Sequence, residues 1–156
     1  MIDPARMAAL VAVLAAAVVY GTDVFCAVVQ RPALAGVDDR ALVAVMGNVH
    51  RYGDRRMPVP GALSVMAAAA SGGLAAFSGR WIAAGAAATA VGLLLIWLVL
   101  YVRVSAPINR RLTAAAQSGD VPPNARVLQS GWDRIITARA VLQGLAVAAL
   151  CLALLN

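Results

Sequence analysis

Three side chains stand where their chemistry matters: Asp23, His50 and Arg139. Asp23 interrupts an otherwise apolar run, Val18-Val-Tyr-Gly-Thr-Asp-Val-Phe-Cys-Ala-Val-Val-Gln-Arg-Pro32. A carboxylate at the centre of a membrane helix costs roughly 2.5–3.5 kcal/mol, so it needs a partner or a task. Arg139 lies seven residues beyond Trp132 in the last apolar stretch, and Asp23 lies seven residues before Gln30. At about 1.5 Å per residue, both fall roughly 10 Å below the end of their helix. The two charges are opposite and matched in depth. They suit a buried ion pair that fixes helix register, the wall of a ligand cavity, or both. His50 is the sole histidine, beside Asn48 and Arg51. It reads either as a solvated loop residue or as the natural proton acceptor, since imidazole ordinarily titrates near neutrality.

Helical spacing extends these points into stripes. Tyr20, Asp23, Ala27 and Gln30 share a face, as do Trp97, Tyr101, Ser105 and Asn109, and Trp132, Ile136, Arg139 and Gln143. All three stripes gather at one end of their helices. The bland reading of the aromatics is an interfacial belt. For Asn109 it is capping of carbonyls freed by Pro107.

The elements that must position these groups follow from composition and periodicity. The 156 residues are 62% hydrophobic and 13% charged, against about half and about a quarter in soluble domains. The expected fold is an all-α membrane protein, a single domain of four transmembrane helices in an antiparallel bundle. The spans are expected at about 5–30, 58–77, 81–106 and 132–155. The first is too long for a signal-peptide core and is expected to stay in place, closed by Arg31-Pro32. In the first long loop, Asp38 or Asp39 caps a short amphipathic helix with Leu42, Val45, Met46 and Val49 as its apolar stripe and His50 and Arg51 at its end. All basic residues are arginine and all acidic residues aspartate, which fits a GC-rich bacterial genome. Only Arg6 and Arg80 fall on the side of the termini. The positive-inside rule therefore puts the long loops in the cytoplasm and the termini outside a bacterial inner membrane. The net charge of +6 then faces anionic lipid, and no nucleic acid partner is expected.

Several chemistries lack their residues. Without glutamate there is no di-iron ligand set of the bundle type. One histidine and two separated cysteines, Cys26 and Cys151, do not make a zinc site or a disulfide. A haem would have only His50 with a methionine such as Met46 or Met57, and neither haem nor metal is expected. Nucleotide-loop and nucleophile-elbow motifs are missing.

One resemblance covers most of the chain. Gly21 through Pro32-Ala-Leu, the segment Asn48-Val-His50-Arg51, Pro107-Ile-Asn-Arg-Arg-Leu112, and Trp132 with Arg139 resemble the small four-helix membrane proteins grouped as anthrone oxygenase-like. The chain departs from that pattern at Ser105, where relatives often carry asparagine, and at Ile135, Ile136 and Thr137. The resemblance implies oxidation of an anthrone-type polyketide by molecular oxygen without metal or flavin. In that reading His50 is the base, with Asp23 as alternative or orienter, and Arg139 and Asn109 hold the oxyanion. Tyr20, Trp97, Tyr101, Trp132, Arg51 and Gln143 surround the substrate. The partners expected are the lipid bilayer and a lipophilic small molecule, with a homo-oligomer left open. The competing expectation is a non-catalytic accessory or scaffold subunit that uses Asp23–Arg139 for assembly and its arginine-rich loops for lipid or partner contact. A small transporter is a third and weaker reading, since no inverted repeat is visible.

Overall fold

A computed structural model describes residues 3–156, and every element in it is helical. Helix α1 (Pro4–Phe25) runs through a π-turn (Cys26–Gln30) into the short α2 (Arg31–Ala35). After a tight turn come α3 (Asp39–Arg56) and α4 (Pro58–Phe77), parted by Met57 alone. Helix α5 (Trp81–Leu100) passes through a second π-turn (Tyr101–Ser105) into α6 (Ala106–Ser118), and α7 (Ala125–Leu155) completes the chain. Four of the resulting helical rods, Pro4–Ala35, Asp39–Phe77, Trp81–Ser118 and Ala125–Leu155, are long and apolar enough to cross a membrane.

Burial is inverted relative to a water-soluble bundle. The inward stripe of α1 is Ala5, Ala9, Ala12, Ala16 and Val19, and that of α4 is Gly61, Ser64, Ala67, Ala68, Ser71 and Ala75. Small side chains at steps of three and four let helix backbones approach closely. Leu14, Phe77, Trp81 and Ile82 face outward instead, with Phe77 93% exposed. At the Asp3 end, Arg80 grips Asp3 through both guanidinium nitrogens, at 2.8 and 3.1 Å. Asp3 also caps α1 by accepting from the Ala5 N–H at 2.9 Å. At the opposite end the core divides. One apolar cluster holds Ala16, Ala68, Leu94 and Leu150, and another holds Leu34, Leu42, Met46, Leu112 and Ile136.

Pro32 does not end the first helix, as its sequence context suggests it should. Proline lacks a donor and its ring presses on the carbonyl four residues earlier. Here the preceding turn widens: the Arg31 N–H reaches the Cys26 carbonyl, and the helix continues to Ala35. Pro107 is accommodated in the same way, with the Ala106 N–H bonded to the Tyr101 carbonyl. Each π-turn thus ends just before an Xaa-Pro pair that opens the next α-helix.

Helix α3 is longer than expected, and its buried face is turned. The Asp38 side chain caps it, accepting from the Ala41 N–H at 2.7 Å. Leu42 and Met46 are buried as expected, but Val45 and Val49 are exposed, and Val43, Gly47 and His50 take the inner face. The reason is contact with α6. A Cβ on Gly47 would lie 2.4 Å from the Leu112 carbonyl oxygen and 2.3 Å from Ala116. The Thr113 hydroxyl donates to the Gly47 carbonyl at 3.1 Å. His50 is therefore inside the helix and inside the protein. Arg126 of α7 holds the α2–α3 turn through Asp39 and the carbonyls of Leu34 and Val37.

Gly47→Val should lower stability by about 1–3 kcal/mol through overpacking against α6. Gly53→Ala, where nothing lies within reach, should leave stability level or slightly raised. Thermal melting of the detergent-solubilised protein measures both, and an unaffected Gly47→Val variant would contradict the close α3–α6 approach.

Candidate functional site

Between these two apolar clusters lies a polar layer to which all four helical rods contribute. Asp23 of α1 is 3% exposed, and both its carboxylate oxygens are taken. Oδ1 accepts from Arg139 Nη2 at 2.8 Å and Oδ2 accepts from the Trp97 indole N–H at 3.0 Å. Arg139 also donates through Nη1 to the Ser105 hydroxyl at 2.7 Å. Its guanidinium carbon lies 5.5 Å from the Trp97 ring, 5.7 Å from Tyr101 and 5.9 Å from Trp132, within cation–π range of all three. Trp97 and Tyr101 are themselves stacked, with centroids 6.0 Å apart.

A second network stands beside the first. Asp54 Oδ1 accepts from the Tyr101 hydroxyl and from Asn109 Nδ2, both at 2.8 Å. His50 lies one turn before Asp54 on α3, its ring 5.5 Å from that of Trp132. His50 is itself buried, at 4% exposure.

These groups line one cavity of about 450 Å³. Its polar end carries His50, Asp54, Asn109, Trp132 and Arg139, and its floor carries Asp23, Cys26 and Trp97. The opposite wall belongs to α4: Pro58, Gly61, Ala62, Val65 and Met66. Gly61 faces the Trp97 ring, where a Cβ would make an ordinary contact with ring atoms at 3.8 Å. Four wall residues retain a buried polar atom with no protein partner: His50 Nε2, Asn109 Oδ1, Trp132 Nε1 and Arg139 Nε. Each such atom costs on the order of 1–3 kcal/mol when left unpaired, so their concentration in one wall is a mark of a binding site.

Of the residues singled out in the sequence, seven meet at this cavity: Asp23, His50, Trp97, Tyr101, Asn109, Trp132 and Arg139. Three do not line it. Tyr20 packs against Gly144 of α7, Gln143 is buried one turn deeper than Arg139, and Arg51 lies over the Tyr52 ring. Asn109 gives one amide N–H to Asp54, and its Oδ1 has no protein partner. The unpaired donors beside it are Trp132 Nε1 and Arg139 Nε. Asp54 escaped the sequence reading because it falls in a polar, arginine-rich stretch. Its place four residues after His50, on one helical face, was the available signal. The α4 wall left none, being made of small and apolar residues. Among the described residues, no three His, Cys, Asp or Glu side chains converge as a metal site would require.

No family model, curated protein or solved structure matches this chain. The chemistry of the cavity therefore has to be read from its own residues.

Asp23→Asn should cost about 3–5 kcal/mol, because it leaves a buried guanidinium without its counter-charge. Adding Arg139→Gln should recover part of that loss. Arg139→Lys should not substitute for the native residue, since one ammonium lacks the planar fork that serves Asp23 and Ser105 together. A double-mutant cycle on melting temperature in detergent measures the coupling, and strictly additive losses would contradict it.

Proposed function

We propose that this chain is a multi-pass protein of the bacterial inner membrane, its four long helices packed antiparallel, with a cofactor-independent, oxygenase-like site in the cavity described above. The exposed leucine, valine and phenylalanine side chains on the long helices support insertion, because a bilayer is the solvent they suit. The excess of arginine at the site end supports cytoplasmic long loops with both termini outside. The resemblance to the anthrone oxygenase-like proteins supplies the reaction class: a flat, lipophilic, anthrone-type substrate oxidised by molecular oxygen.

One observation carries the catalytic reading: the sole imidazole and a buried guanidinium share the wall of a single apolar cavity. His50 Nε2 takes the acidic ring-methylene proton of the substrate. The negative charge delocalises onto the substrate oxygen, where Arg139 and the Trp132 N–H stabilise it in a low-dielectric setting. The carbanion passes an electron to dioxygen, the two radicals combine to a peroxide anion that takes its proton back from His50, and loss of water from the hydroperoxide gives the quinone carbonyl. Asp23, with both oxygens occupied, orients Arg139 rather than accepting the proton. Asp54 holds Tyr101 and Asn109 in place, and the Asn109 carbonyl accepts a substrate hydroxyl. Trp97, Tyr101 and the α4 wall bracket the rings.

The accessory-subunit reading would use Asp23 and Arg139 between chains. They pair with each other within one chain, which favours the catalytic reading.

With 1,8-dihydroxyanthrone as substrate, His50→Ala should reduce kcat/KM by about 10²–10⁴-fold. An unimpaired His50→Ala enzyme would remove His50 from the role of base.

A further inference from the structure

The cavity is amphiphilic, and part of its lining is also outer surface. Thr22, Val49, Ala62, Met66 and Leu98 line it yet are exposed on the flank of the bundle, Met66 to 63% and Leu98 to 40%. At these positions the cavity wall and the outer apolar surface are the same side chains. Along α4 the lining continues from Pro58 to Met66, about two helical turns away from the polar end. A compact three-ring substrate has no use for an apolar arm that leads out of the protein.

The polar end constrains the head of whatever fills that arm. Trp132 Nε1 can only donate and Asn109 Oδ1 can only accept. A matching head group therefore carries an acceptor oxygen and a hydroxyl donor together. Two carboxylates, Asp23 and Asp54, face one guanidinium, Arg139, in the wall. That balance disfavours a fatty-acid carboxylate or a phosphate head.

We infer that this cavity binds an alkylated hydroquinone drawn from the bilayer, with the ring between His50, Asn109 and Trp132 and the aliphatic chain lying along α4 and leaving past Ala62 and Met66. The inference rests on the cavity being the ligand site proposed above, and it requires no oxygen chemistry. Lipid chains are as apolar as the α4 wall, so the chain contributes by fit rather than by leaving water.

The test uses the full chain in lipid nanodiscs with Trp81→Phe, which removes the exposed tryptophan at the far end and leaves Trp97 and Trp132 as reporters. Decylhydroquinone and methylhydroquinone are titrated by fluorescence quenching, with concentrations expressed per lipid. Saturable binding of the decyl probe is expected. Ala62→Phe fills the apolar arm and should weaken the decyl probe by about tenfold while changing the methyl probe by less than about twofold. Trp132→Phe, read through Trp97, should weaken both by about threefold to tenfold through loss of one hydrogen bond. Equal losses for the two probes in Ala62→Phe, or no saturable binding of the decyl probe, would overturn the inference. A protein that oxidises 1,8-dihydroxyanthrone but ignores the decyl probe would overturn it and leave the proposed function standing. Saturable decyl binding with the expected Ala62→Phe selectivity, but without turnover, would support the inference and count against the oxygenase reading.

Discussion

The Asp23–Arg139 ion pair is the constraint around which this molecule is arranged. Burying two full charges among apolar helices is favourable only when every donor and acceptor around them is closely matched. Here Trp97 takes one carboxylate oxygen and Ser105 one guanidinium nitrogen, and Arg139 Nε alone is left without a protein partner. Because α1, α5 and α7 each contribute a member, the pair sets their relative rotation and height at once. The alanine stripes toward the Asp3–Arg80 end allow many sliding registers; the charged layer allows one.

The same layer explains why a cavity exists. Alanine-faced helices meet closely, whereas indole, phenol and guanidinium groups hold their helices apart. The cavity accordingly lies where the large side chains gather. Helix α3 closes that end by lying against α6 through Gly47. In doing so it carries His50 and Asp54 inward, where a surface-lying helix would have left them in water. His50 is placed by a glycine contact about a turn away.

Much of this was legible in the sequence, and the exceptions have physical causes. Uninterrupted apolar runs made the long helices plain, and depth matching brought Asp23 to Arg139 across 2.8 Å. Three side chains on the expected stripes missed the cavity. A three-residue step turns Tyr20 about 60° from Asp23, and a four-residue step carries Gln143 about 6 Å deeper than Arg139. Arg51 stands about 100° around the helix from His50. The burial of His50 was hidden because the α3 stripe was read from valines, while the face was decided by the residue with no side chain. The α4 wall was silent because shape, not charge, is its contribution.

The π-turns bear on how the site is spelled. Trp97, Tyr101, Ser105 and Asn109 step by four, and on a regular α-helix twelve residues would rotate the last about 120° away from the first. The extra residue accommodated at Tyr101–Ser105 removes about 100° of that drift, so Asn109 reaches the same side as Trp97. The turn behaves as a one-residue insertion that a proline has made permanent. A chain without it would present the same face with its letters one place closer together. For this architecture the conserved quantity is an angle, and a motif written as fixed spacing describes only one of its spellings.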